Sequence, residues 1–186
     1  ADYIVLDGGP NSYGNNDFDA SYFSSIVKWV RQQPNGGATL PIVWAEWYPA
    51  VSQLNGNLDY YNAVYASDAI QTVKAGVQWG LMWGTTGGVG GQIPETDRPE
   101  LMLDYTGKPT KIYDTTLLLK VNFPPGTQWY NTTVSPFTVS VLASSSKTML
   151  VNQLNAAQTV SVNGTQLSLS PYQVTVIDTP NLGSTP

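Results

Sequence analysis

Cysteine and histidine are both absent from the 186 residues. Without cysteine there is neither a disulfide framework nor thiol chemistry. Without histidine there is no imidazole general base, no Ser-His-Asp triad and no donor of the type zinc uses most often. Charge is also scarce. Only 11% of residues are charged, against about 25% in an ordinary soluble domain. The 13 acidic and 8 basic residues leave a net charge of −5, so no basic surface exists to neutralise phosphates. That argues against nucleic acid and anionic membranes as partners. No apolar run approaches the roughly 18 residues needed to span a bilayer. Few carboxylates also means few groups whose protonation undermines a fold in acid, so an acidic, extracellular (secreted) setting is expected.

Glycine, asparagine, serine and threonine mark the segment ends. Asp2 to Leu6 reads as a short buried strand closed by Asp7-Gly8-Gly9-Pro10. Asn16 or Asp17 is placed to cap a helix running to about Gln33, with Tyr22, Ile26 and Val30 on one stripe and Phe23 and Val27 beside it. Leu40 to Pro49 is the next strand. A second helix is expected from about Asp59 to Ala75, with Gly76 as its C-terminal cap. Its stripe of Ala63, Ala66, Ile70 and Val73 is mostly small, as suits a helix lying close on a sheet. Val77 to Trp83 is expected to be a third buried strand. The order β-α-β-α-β, with strands apolar on both faces, belongs to a parallel sheet covered by helices.

Beyond the glycine-rich stretch 84–91 and the irregular 95–109, the pattern turns to period-2 alternation. Phe137–Leu142, Thr148–Leu154, Gln158–Val162, Gln166–Leu169 and Gln173–Ile177 read as antiparallel strands, with Asn163-Gly164 as a hairpin turn. No helical period is visible after 110. The expected organisation is therefore an incomplete α/β unit over 1–109 and a β-sandwich over 110–186.

Only three glutamates occur: Glu46, Glu95 and Glu100. Glu46 lies in Ile42-Val43-Trp44-Ala45-Glu46-Trp47-Tyr48-Pro49, a carboxylate among aromatics at a strand end. In parallel α/β folds the catalytic groups gather at the C-terminal ends of strands, which here makes Asp7, Glu46 and Trp83 candidates. Simple alternation places Trp44 and Glu46 on the same side. A carboxylate between aromatic walls suits glycoside hydrolysis, where it attacks or stabilises the anomeric carbon while ring faces cover the sugar's C–H surface. Trp47, Tyr48 and Tyr13 are loop-edge aromatics that could line a subsite. Each residue also has a structural reading. Glu46 could be a hydrated surface group, Trp83 a core tryptophan, and Asp7 a turn carboxylate. No P-loop, EF-hand or nucleophile elbow is present, and neither a cofactor nor a metal is expected.

The stretch Pro41 to Trp47 resembles the seventh barrel strand of the clan A retaining glycoside hydrolases, which ends in a nucleophilic Glu. Asp2–Pro10 is similar to the sixth strand, Tyr65–Ile70 to the helix after the seventh, and Ala75–Trp83 to the eighth. Leu117–Gly126 and the β-rich remainder resemble the β-sandwich appended in the families of β-xylosidases, α-L-iduronidases, heparanase-like β-glucuronidases and arabinofuranosidases. The resemblance implies a fold of the α/β plus all-β class: the last three strands of a (β/α)8 TIM barrel, then an antiparallel β-sandwich. It implies a retaining mechanism with Glu46 as nucleophile and Trp83 beneath the sugar. It also implies a poly- or oligosaccharide substrate. The first five strands and their acid/base glutamate are not in this sequence. That carboxyl would come from an N-terminal barrel half, on another chain or another fragment of the same precursor. A non-catalytic carbohydrate-binding protein using Trp44, Trp47, Trp83 and the sandwich surface is the alternative.

Overall fold

The computed structural model describes residues 2–7, 17–47, 57–82, 102–104, 106–132, 134 and 137–179. The alternating strand and helix patterns of the first half form β1 (Ile4–Asp7), α1 (Ser21–Arg31), β2 (Ile42–Trp47), α2 (Leu58–Ala75) and β3 (Trp79–Met82). The three strands make one parallel sheet in the order β1-β2-β3, with Ile4 opposite Ile42 and Val43 opposite Trp79. These strands do not close into a barrel among the described residues. Phe23, Val27 and Val30 of α1 bury one sheet face together with Ile42, Trp44 and Trp47 of β2 and Tyr61 and Tyr65 of α2. Among the described residues no helix covers the opposite face. Val5, Trp79 and Leu81 are 54%, 53% and 56% exposed there.

The first helix starts later than Asn16 or Asp17. Ser21 is its first residue, and Asp19 rather than Asp17 accepts a bond from the Ser21 amide (3.0 Å). Asp17 is buried instead, with its Oδ2 accepting from the Tyr60 hydroxyl at 2.6 Å; Asn16 lies outside the described residues. The second helix has the expected ends. Asn57 Oδ1 accepts from the Tyr60 amide (3.0 Å), and Gly76 takes the left-handed conformation at φ 92°.

After α1 the chain reverses through Gly36 and Gly37. A Cβ on Gly37 would stand 2.3 Å from the Val30 carbonyl oxygen and 2.5 Å from that of Gln33. Arg31 Nη1 fastens the same turn by donating to the carbonyls of Gly37 (3.0 Å) and Leu40 (2.7 Å). Gly37→Ala must push helix backbone aside and is expected to cost about 1–3 kcal/mol. A urea-unfolding midpoint unchanged from the parent would show that the turn relaxes freely.

The second half departs from the expected sandwich at its start. Lys111–Asn122 is a helix, α3, capped by Thr110, whose Oγ1 accepts from the Tyr113 amide (3.4 Å). Tyr65 and Thr116 share a hydroxyl hydrogen bond of 2.7 Å and Thr115 Oγ1 donates to Asn62 (2.8 Å), tying α3 to α2; Lys111 pairs with Asp59. Residue 110 therefore does not begin an all-β region.

The five expected strands follow within two residues of their predicted limits as β4 (Val139–Ala143), β5 (Lys147–Asn152), β6 (Gln158–Val162), β7 (Thr165–Leu169) and β8 (Val174–Asp178). β4-β5-β8 is one antiparallel sheet and β6-β7 a separate hairpin. Asn163 and Gly164 turn that hairpin with both φ angles positive (48° and 85°), which suits an Asn-Gly pair.

The small stripe of α2 packs on the antiparallel sheet. Ala63, Ala66 and Ile70 meet Leu142, Met149 and Val151, while Tyr61 and Tyr65 on the helix's other side belong to the first core. Thus α2 is buried on two faces, which explains its weak amphipathicity. Ser67 and Ser140 (2.6 Å) share a hydrogen bond across the contact between α2 and β4, and Gln153, just after β5, donates to the same Ser140 hydroxyl (2.7 Å). The other face of β4 and β5 presents Val139 and Leu150 to Val160 and Leu169 of the hairpin.

Candidate functional site

The C-terminal ends of adjacent parallel strands are where open α/β sheets place their ligands. Asp7 ends β1 opposite Ala45 of β2, so Glu46 stands one residue beyond it on the neighbouring strand. Ile4 and Leu6 pack into the helix-covered core, and Asp7 is exposed with Val5 on the open side.

The placement of Glu46 depends on a break in the strand. From Trp44 to Trp47, β2 advances three residues, while from Gly80 to Met82 its partner β3 advances two. One extra residue is thus held in a β-bulge, and Glu46 takes it up at φ 52°. For a side chain with a Cβ, the left-handed region costs about 1–2 kcal/mol. The bulge shifts the strand's facing by one. Trp44 and Trp47 both enter the helix-covered core, whereas Ala45 and Glu46 fall between them and the Glu46 side chain is exposed.

The expectation that Trp44 and Glu46 share a side is therefore corrected. Unbroken alternation would have buried Glu46 beside Trp44; the bulge gives that place to Trp47. Phe23 holds Trp44 edge-on, with ring centres 4.4 Å apart, and stacks near Trp47 at 6.2 Å. The Trp47 indole N–H donates to Thr72 Oγ1 at 3.0 Å, which in turn donates to the Asp68 carbonyl at 2.8 Å. Neither tryptophan offers a free ring face, so neither can stack on a sugar in this arrangement. Gly80 of β3 faces the Trp47 side chain, where a Cβ would meet it at an ordinary contact distance of 3.8 Å. Of the other candidates, Trp83, Tyr48 and Tyr13 lie outside the described residues, as do Glu95 and Glu100.

Two features escaped the sequence reading. Trp79 and Leu81 line the open face beside Val43 and Val5, and their signal was present in the alternation Trp79-Gly80-Leu81-Met82. The second is Asp68, in the middle of α2. Its carboxyl is buried, and Oδ1 has no hydrogen-bond partner. Burial, and then the charges of Asp17 and Asp19, hold its pKa well above the usual carboxylate range. Burial likewise pushes the Tyr65 hydroxyl up to about 12, partly offset by its bond with Thr116.

Among the described residues no three acidic side chains are grouped to hold a metal ion. No helix among them is long and apolar enough to cross a membrane. What the geometry brings together is two exposed carboxylates, Asp7 and Glu46, at the rim of an apolar sheet face that nothing among the described residues covers. The chain matches no protein-family model and no curated protein.

Proposed function

We propose that this chain is one part of a retaining glycoside hydrolase and that Glu46 is its nucleophile. The observation that carries the reading is the bulge at Glu46. A non-glycine residue in a strained conformation, at the C-terminal end of a parallel strand, turns its carboxylate away from the helix-covered core. Strain at such a position points toward function because an ordinary surface glutamate needs none. The exposed face of Val5, Trp79 and Leu81, over which no helix lies among the described residues, supports an incomplete barrel whose remaining strands come from an N-terminal half. The finer description, three barrel strands followed by a β-sandwich, belongs to this same reading.

In the proposed reaction Glu46 forms an ester to the anomeric carbon of an oligo- or polysaccharide. The departing oxygen takes a proton from a carboxylic acid on the N-terminal half, and water then cleaves the ester with that residue acting as base. Retaining chemistry requires the two carboxyls about 5–5.5 Å apart. Asp7, on the adjacent strand, would hydrogen-bond the sugar or help orient it, with Trp83, Tyr48 and Tyr13 as further subsite residues. The low charge content fits work outside the cell in acid. The binding-protein alternative is weaker, because Trp44 and Trp47, two of the three tryptophans it relied on, are core residues.

Covalent trapping tests the proposal. The native material, with whatever N-terminal half copurifies, is treated with a panel of 2-deoxy-2-fluoroglycosyl fluorides and digested for peptide mass analysis. Inactivation is expected to track a glycosyl adduct on Glu46. Glycosidase activity with the adduct on another residue, or no hydrolysis of any glycoside by the assembled material, overturns it.

A further inference from the structure

Independently of the glycosidase reading, we infer that the cleft between hairpin β6-β7 and the sheet β4-β5-β8 binds an aliphatic carboxylate, with the chain among its valines and the carboxylate against Lys74 and Thr132. The cleft encloses about 640 Å³, within the roughly 300–1,000 Å³ typical of small-molecule sites. Its aliphatic wall is Val139, Val141 and Leu150 from the three-stranded sheet and Val160 and Val162 from the hairpin. The rest of the lining is largely polar, with Thr148 and Thr179 bonded to each other at 2.9 Å and Asn131, Thr132 and Ser161 nearer the hairpin and the segment before β4. No charged side chain lines it among the described residues. An apolar chain is the occupant that this strip of valines and Leu150 accepts.

Charge enters only at one end. A second compartment of about 320 Å³ adjoins the first along Val134, Val139 and Val141, and its lining includes Lys74, Gln71 and Gln153. Lys74 Nζ donates to Thr132 Oγ1 at 2.9 Å, and Thr132 lines the larger compartment. The ammonium therefore stands where the two meet. Among the described residues no carboxylate is within ion-pair distance of it; Asp19, on the same compartment, is bonded to the Ser21 amide. Partial burial lowers the Lys74 pKa, as a cation without a counter-charge requires.

An ammonium has three donors, and one is used on Thr132. The other two, together with the Thr132 O–H, which is free to donate because its oxygen accepts from Lys74, form a three-donor seat for a carboxylate. A neutral alcohol of the same chain length would use the cleft but leave the ammonium unmatched. The complement of an aliphatic strip ending in a cation without a counter-charge among the described residues is thus a fatty acid anion.

Calorimetric titration of the full chain with decanoate and decanol, below their aggregation limits, tests this. Decanoate is expected to bind at least tenfold more tightly than decanol. Lys74→Met, which keeps the apolar stem, should abolish that difference while leaving decanol affinity unchanged. Val162→Trp, which fills the cleft, should remove binding of both. Leu81→Lys on the bare parallel face should change neither. If Val162→Trp fails to fold, the Lys74→Met comparison decides alone. Equal affinity for acid and alcohol, no binding of decanoate, loss of binding in Leu81→Lys, or displacement of decanoate by xylobiose overturns the inference.

Discussion

Trp44→Ala is expected to destabilise the fold by about 3–5 kcal/mol, the range for emptying a core aromatic site. Trp44 is 1% exposed and sits where α1 meets β2. Phe23 contacts it edge-on at 4.4 Å between ring centres, and Tyr22 does so at 6.1 Å. The walls of the resulting hole cannot close. One is the backbone of a strand paired on both sides, and another is α1, itself fixed by Val27 and Val30. The lost ring contacts add to the lost transfer free energy.

Trp79→Ala makes the informative comparison. Both residues are strand tryptophans of the same sheet, but Trp79 points to the uncovered face and is half exposed. In the isolated chain about half of its surface has left water, so its removal should cost roughly half as much, about 1.5–2.5 kcal/mol. Equilibrium urea unfolding of the two variants followed by circular dichroism reads the difference. Comparable losses would mean that both sheet faces are covered in solution. A larger loss for Trp79 would mean that the sheet is turned over. If the proposed N-terminal half completes the sheet, the Trp79 penalty should rise on assembly, because that half would bury the same ring.

The same two tryptophans show what the sequence could and could not disclose. That residues 2–83 alternate strand and helix was legible, because apolar periodicity and the stops at Gly36-Gly37 and Gly76 are local signals. The five later strands and the Asn163-Gly164 turn were legible for the same reason. Helix α3 was not. Ile112, Tyr113, Thr115, Thr116 and Val121 all favour strands, and only Ile112 and Thr115 are buried, so no broad apolar stripe marks it. Its stability comes from the Thr110 cap and from Asn62 and Tyr65 on α2, some fifty residues earlier in the chain. Nor was the bulge in β2. Ala45-Glu46 contains no glycine to announce a positive φ. What decides that Trp47 enters the core is Phe23, Tyr65 and Thr72, all distant in sequence. The identity of the candidate carboxylate was readable; the side on which it lies was not.

At neutral pH, Asp68→Asn should make the protein more stable, against the usual direction for a buried substitution. The Asp68 carboxyl is buried in α2 with Oδ1 unpartnered, and the charged groups facing it are Asp17 and Asp19, both like-charged. Tyr60, bonded to Asp17, also lies within reach of its field, and burial together with these carboxylates raises the tyrosine pKa. An ionised Asp68 therefore has no compensating partner among these groups, and the penalty for such an ion is several kcal/mol even after relaxation (roughly, from general cases). The raised folded pKa sets the sign. Below the unfolded value, near 3.8, the group is protonated in both states and contributes no penalty. As pH rises from there through the folded pKa, the folded state holds its proton longer than the unfolded chain. Stability then falls by up to about 1.4 kcal/mol per pH unit. Above the folded pKa the full loss is in place.

Asparagine keeps the shape, never ionises, and brings an N–H2 that can donate toward Asp17. Melting temperatures of parent and variant should converge near pH 3 and separate progressively toward pH 7, with the variant higher. A variant that is less stable at pH 7 would mean that Asp68 is ionised and well paired. Parallel pH profiles would mean that it does not titrate in the working range. The expected profile also gives the acid setting inferred from composition a structural counterpart. A chain with few carboxylates has placed one of them where it is comfortable only when protonated. The cost of that placement disappears in acid.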